Sequence, residues 1–255
     1  MNEQEILSLL TRHFKKNLPT GKQICTEALK KQLAKNKDNA SWVKSHFSEL
    51  IESTQIRAYE IYQAKERYAA SLAMREVFEK LLPDEPCKED FFKLLENNFW
   101  VLDRFFLSLT QGRRPRAGKA FEHIIKVLFG ILGYPYTPQA VINGQPDFLL
   151  PSVEHFKKNA MDCIIFTVKR TLRERWRQIV TEGTRGYLFY LATIDEEIAS
   201  RVLGEIRNHR IYLVVPERIR SETYSDQPNV ISFETFFESH LDPAMKRWRK
   251  NKIIE

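Results

Sequence analysis

Apolar residues recur at helical spacing from Ser41 to Leu82, where Trp42, Phe47, Leu50, Ile51, Ile61 and Tyr68 mark one face. That interval predicts one long amphipathic helix or two shorter ones. Pro83-Asp84-Glu85-Pro86 stops it. A further helix, rich in aromatics, is expected from Glu89 to about Leu107. No glycine occurs between Gly21 and Gly112, a gap too long for most β-rich or loop-rich folds.

The pattern changes after Gly112. GRRPRAGK reads as a basic loop leading into an apolar helix, Ala120–Leu132, whose one acidic residue is Glu122. Short apolar runs follow at Ala140–Ile142, Phe148–Leu150, Met161–Lys169, Tyr187–Thr193, Arg210–Val215 and Val230–Phe233. Helical periodicity fills Leu172–Thr181 and Asp195–His209. Apolar runs alternating with helices predict an α/β fold with a mixed sheet. The expected organisation is one domain over residues 1–255. Residues 1–110 form its mainly helical part, for dimerisation and DNA grip, and 111–255 its α/β core.

Composition adds a partner class. Forty Lys+Arg against 33 Asp+Glu leave a net charge of +7, which favours a polyanion without identifying it. Cys25, Cys87 and Cys163 lie far apart, and the six histidines do not cluster with them. That argues against a zinc site and fits a reducing compartment. MNEQEILSLL lacks the basic start and apolar core of a signal peptide, and no apolar run reaches membrane-spanning length. A soluble, cytoplasmic protein is expected.

The candidate chemistry lies between residues 122 and 182. Hydrolysis of a phosphodiester requires carboxylates that hold one or two Mg²⁺ ions, and a cation beside the attacking water. Asp147 follows Pro146 and opens an apolar strand. Lys169 ends the next strong strand, two residues past Thr167, so the two share a face. Neighbouring strands would bring Asp147 and Lys169 together. Pro-Asp pairs also form ordinary turns, and a strand-end lysine is also an ordinary solvated terminus. Such sites usually carry a carboxylate two residues before the lysine, where this chain has Thr167. Two acidic residues are placed to compensate: Glu182, thirteen residues beyond Lys169, and Glu122, among Phe121, Ile124, Ile125, Val127 and Leu128. A carboxylate in such surroundings must reach solvent, pair with a cation or bind a metal.

The pattern Glu122, Pro146-Asp147, Thr167-Val168-Lys169 and, after twelve intervening residues, Glu182 resembles the displaced-carboxylate active site of the CCGG-type restriction endonucleases. These belong to the PD-(D/E)xK superfamily. Lys169-Arg-Thr-Leu-Arg-Glu-Arg-Trp176 is similar to the EcoRII/SsoII-like branch, and the resemblance covers about Gln111 to Glu182. It implies a restriction-endonuclease core of mixed sheet flanked by helices, with a helical N-terminal elaboration. It further implies that Asp147 and Glu182 hold Mg²⁺ with Glu122 assisting, and that Lys169 orients the attacking water or stabilises the transition state. The implied activity is that of a type II site-specific deoxyribonuclease. Its homodimer would bind double-stranded DNA at CC:GG half-sites around a central base pair, cutting before the outer C to leave 5′ overhangs.

The arginines after Lys169 then have two readings. Arg173, Arg175 and Arg177 suit a solvated helical face. They also suit base reading, since arginine donates two hydrogen bonds to guanine O6 and N7 and a carboxylate accepts from cytosine N4. The resemblance assigns Arg173, Glu174 and Arg175 to the C:G pairs, Gln111 to the minor-groove edge, and Arg113, Arg114, Arg116 and Lys119 to the phosphate path. Base flipping in this branch uses an arginine and an aromatic four residues apart. Here Arg57 is followed at that distance by Ile61, with Tyr59 and Tyr62 nearby. The alternatives are a structure-selective repair or recombination nuclease of the same superfamily, and a non-catalytic DNA-binding protein.

Overall fold

In the computed structural model residues 1–36, 38–142, 145–172 and 188–255 are described. The chain forms two compact units: Met1–Ala28 with Ile56–Ala120, and Leu29–Gln55 with Phe121–Glu255.

The first unit is helical. Helix α1, Glu3–Asn17, starts on a capping box, with the Asn2 side chain accepting from the Glu5 N–H and the Glu5 carboxylate accepting from the Asn2 N–H. It buries Ile6, Leu10 and Phe14, and Phe14 meets Phe105 edge to face. Helix α2 spans Gly21–Leu33, α3 Ala40–Ser45, α4 Phe47–Phe78, α5 Lys88–Asn97 and α6 Phe99–Ile131. The first unit takes the residues of these helices that fall within its two segments.

The second unit contains a sheet of order β1-β2-β3-β4-β5-β6. Its strands are Thr137–Pro138, Phe148–Leu150, Ile164–Val168, Leu188–Ala192, Ile211–Val215 and Val230–Ser232. The first three pair antiparallel; β3 to β6 run parallel. Every residue of β3 is buried, as expected for a parallel strand covered on both faces. Register aligns Phe148, Phe166, Tyr190 and Tyr212 in one row across four strands. Phe129 of α6 packs on Phe148 and Phe166, and Phe236 packs on Phe166 and Tyr190. The opposite face carries Leu149, Ile165, Leu191 and Leu213, in a cluster with Leu203, Ile206 and Ile219 of the helices Ser200–Asn208 and Glu217–Glu222.

Several elements differ from the sequence expectation. The Ser41–Leu82 interval resolves into α3 and α4, separated at His46. The Glu89–Leu107 helix is broken at Asn98, whose side chain folds back onto the Leu94 carbonyl. GRRPRAGK is not a loop: α6 continues through it, with Pro115 inside. The proline removes one N–H, but it sits on an exposed stretch, and the buried face carried by Val101, Phe105, Leu109 and Phe121 continues on both sides. Ala140–Ile142 is not a strand; the first strand is Thr137–Pro138, and Gln139 at φ +50° turns the chain out of it. The Asp195–His209 helix begins only at Ser200. Of the Leu172–Thr181 helix, all but Leu172 lies outside the described residues.

Candidate active site

Asp147 immediately precedes β2, and the β2–β3 register, extended by one pair, sets it opposite Thr167. Its carboxylate is buried, 7% exposed, and three donors converge on Oδ2. Thr167 Oγ1 donates at 2.9 Å, the Val168 N–H at 2.7 Å and Lys169 Nζ at 3.4 Å. The lysine is held in turn: its N–H donates to the Ala192 carbonyl at 2.9 Å, which continues the β3–β4 pairing past Val168. Thr167 therefore does more than stand where a carboxylate is usual. Its hydroxyl is a hydrogen-bond donor, which an ionised Asp or Glu cannot be.

Glu122 completes the described part of the site. It is half-buried on α6, one position beyond the fully buried Phe121. Burial holds its carboxyl above the ordinary range; the negative charge of Asp147 acts in the same direction. Lys169, Lys126 and a hydrogen bond from the Gln139 side chain pull the other way. Gln139 was not picked out by the sequence. Its N–H donates to the Asp147 carbonyl at 3.2 Å, and its positive φ is a strained conformation for a residue with a side chain. A polar residue beside a short edge strand gave no signal of this.

These groups suit a hard divalent cation. Two carboxylates, Asp147 and Glu122, with the Lys169 ammonium against Asp147, are an oxygen-donor set of the kind Mg²⁺ takes. Among the described residues no cluster of three or more His, Cys, Asp or Glu could hold a metal by itself. Glu182, Arg173, Glu174 and Arg175, which the sequence added to this site, lie outside the described residues.

The remaining candidates fall in the helical unit. Gln111 and Arg114 are exposed on α6. Arg113 is exposed as well but is tied to α4: Nε and Nη2 donate to Glu66 Oε2 at 3.0 and 2.6 Å. Glu66 is 3% exposed and also accepts from the Tyr62 hydroxyl, while the Arg116 guanidinium lies 5.2 Å from the Tyr62 ring. Of the cations expected along a phosphate path, Arg113 and Arg116 are thus engaged with α4. Arg57 pairs with Glu60 at 2.8 Å.

Residues 76–237 match the family model described as EcoRII C terminal. The chain belongs to the EcoRII C-terminal family. The match covers the strand–lysine corner, the segment of Arg173–Arg175 and Glu182. Over 152 residues the chain is 28% identical to the type II restriction enzyme SsoII of Shigella sonnei, covering 55% of this chain and 50% of that enzyme. Over 177 residues it is 29% identical to the type II restriction enzyme EcoRII of Escherichia coli, covering 61% and 44%. The chain thus spans about half the length of the curated relatives it matches. A solved structure of metal-depleted Ecl18kI with uncleaved, modified DNA superposes with a TM-score of 0.82 at 23% identity, covering 100% of this chain and 87% of that one. The fold shared with that structure over the whole chain is a mixed sheet flanked by helices, with a helical N-terminal region.

Proposed function

We propose that this EcoRII C-terminal family member is a type II restriction endonuclease, hydrolysing both strands of double-stranded DNA with Mg²⁺ at a palindromic site of CC:GG half-sites around a central base pair. The observation that carries this reading is the convergence of Thr167, Val168 and Lys169 on one oxygen of Asp147, with Glu122 beside it. Two relatives bearing the name of type II restriction enzyme support the class.

Asp147 and Glu182 would hold the Mg²⁺, with Glu122 assisting. A bound Mg²⁺ would offset charge on the scissile phosphate and make water more acidic. Thr167 and the Val168 N–H fix the plane of the Asp147 carboxylate. The Lys169 ammonium, close to Asp147, would orient the attacking water or stabilise the extra negative charge of the pentacovalent phosphorus. Glu122, with its affinity for protons raised, is a better proton acceptor than an ordinary carboxylate.

Arg173, Glu174 and Arg175 are assigned to the C:G pairs, on the resemblance and on the base chemistry of their side chains. Gln111, exposed on α6 beside Arg114, is assigned to the minor-groove edge. A flipped central base would meet Arg57 and the exposed ring of Tyr59. Cutting before the outer cytosine would leave 5′ overhangs.

A two-fold DNA site calls for a homodimer. An apolar surface on α5 and the start of α6 supports one: Phe91, Phe92, Leu95 and Trp100 stand exposed, and Phe99 is 75% exposed. No helix among the described residues is long and apolar enough to cross a membrane, and the place of action is the cytoplasm of a bacterial or archaeal cell.

The test is digestion of phage DNA by purified protein with Mg²⁺, followed by sequencing of the fragment ends. Discrete fragments sharing a CC…GG sequence are expected. A smear, or preference for branched substrates, would favour a structure-selective nuclease. Absence of cutting would favour a DNA-binding protein. Lys169→Ala and Asp147→Ala should abolish cleavage and retain specific binding.

A further inference from the structure

The turn after Lys169 is held at more points than a strand end needs. Beyond the bond from the Lys169 N–H to Ala192, the Arg170 carbonyl accepts from Thr193 Oγ1 at 3.2 Å, and the Leu172 N–H donates to Asp195 Oδ2 at 2.8 Å. Ala192 at the end of β4, with Thr193 and Asp195 just past it, thus carries on the work of the ladder where it ends. Thr193 is fully buried, and Leu172 is 1% exposed. Asp195 is fixed in its own right. Its N–H donates to Thr193 Oγ1 at 3.1 Å, its Oδ1 accepts from the Glu197 N–H at 3.2 Å, and its carbonyl accepts from the Tyr224 hydroxyl at 2.8 Å. The same hydroxyl accepts from the Ile198 N–H at 3.2 Å.

We infer that Asp195 is a positioning residue, whose carboxylate anchors the backbone between Lys169 and the Arg173–Arg175 segment and so sets the register between cleavage and base reading. It touches neither DNA nor the reacting phosphate in this role. A buried N–H without a partner is costly, so without Asp195 the backbone at Leu172 must shift to find one. Leu172 is one peptide, about 3.8 Å, from Arg173, and a shift there moves the start of the arginine segment relative to Asp147 and Lys169. The anchor ties two stretches through a single side chain: Oδ2 holds the Leu172 N–H and Oδ1 the Glu197 N–H. The inference rests on the nuclease reading above.

The experiment compares cleavage of a duplex carrying the site found by end sequencing with cleavage of a scrambled duplex. The full-length chain and its variants Asp195→Ala, Asp195→Asn and Tyr224→Phe are used. Asp195→Ala should lower the ratio of the two rates by about tenfold to a hundredfold, the scale of small misplacements in active sites, with binding of the scrambled duplex unchanged. Asp195→Asn should restore most of the ratio, because its amide oxygen can accept the same N–H. Tyr224→Phe loses the bonds to the Asp195 carbonyl and to Ile198 but keeps the carboxylate, so it should lower stability and leave the ratio alone. An unmoved ratio in Asp195→Ala, or an equal fall in Tyr224→Phe, would overturn the inference. In the unaltered protein the Leu172 amide should exchange slowly with deuterated solvent. Rapid exchange would overturn the anchor even if Asp195→Ala fails to fold. If the unaltered protein cuts no DNA, the nuclease reading fails, and amide exchange still decides the anchor separately.

Discussion

Replacing Thr167 by valine isolates the contact that distinguishes this corner from one with a carboxylate on the strand. The substitution keeps the shape and removes the hydroxyl, so Asp147 Oδ2 loses its 2.9 Å donor and keeps the Val168 N–H at 2.7 Å and Lys169 at 3.4 Å. A hydrogen bond to a charged group contributes about 1.5–3 kcal/mol. The low end applies because a shorter backbone donor survives, giving about 1.5 kcal/mol. For a chain of this size that corresponds to a Tm lower by about 3–6 °C. Thermal unfolding followed by circular dichroism in metal-free buffer measures it, and the same substitution in an Asp147→Ala background closes a double-mutant cycle. With no carboxylate to receive it, the Thr167 hydroxyl is left buried and unpaired, so valine should then be neutral or stabilising. An equal loss in both backgrounds would show that the hydroxyl does not act through Asp147, and would refute the geometry of the corner.

Glu122→Gln should raise Tm at neutral pH in metal-free buffer. Because the folded-state pKa is raised, Glu122 contributes most favourably when protonated, and that contribution is lost as pH rises past its ordinary value. The gain from glutamine should therefore fade on acidification, and Mg²⁺ should stabilise the unaltered protein more than the variant in the same scans. Phe129→Ala should cost about 3–5 kcal/mol in denaturant unfolding, since its ring is fully buried among Phe47, Phe148, Phe166 and Phe237. Arg113→Ala should destabilise by about 1–3 kcal/mol, because it leaves the buried Glu66 with only the Tyr62 hydroxyl as a donor. Arg114→Ala should lie within about 0.5 kcal/mol of the unaltered protein and act instead on DNA affinity, read by its salt dependence.

The active-site corner was legible because strand geometry is periodic. Thr167 and Lys169 share a face by alternation alone, and one antiparallel pairing brings Asp147 to both. Strand ends drifted by a few residues: Met161–Lys169 became Ile164–Val168 after a 3₁₀ turn at Ala160–Asp162. What was not legible depended on partners distant in sequence or on local exceptions to propensity. Gln139 is near the carboxylates through a positive φ that its identity does not announce. Asp195 looked like the start of a helix and is instead a cap for a segment 23 residues earlier. Arg113, one of a basic run, is paired with the buried Glu66, 47 residues away. Pro115 with two nearby glycines read as a loop, but the apolar residues on either side were enough to carry the helix through.

That proline has a consequence for how α6 opens. A helix transmits order along itself because each peptide is tied to the one four residues before it. At residue 115 no N–H exists to make that tie, so the carbonyl of Gln111 loses its usual partner within the helix. Fraying that starts on one side therefore has one link fewer to pull on the other. Hydrogen exchange should report two separate opening free energies along a helix that is a single uninterrupted span to the eye.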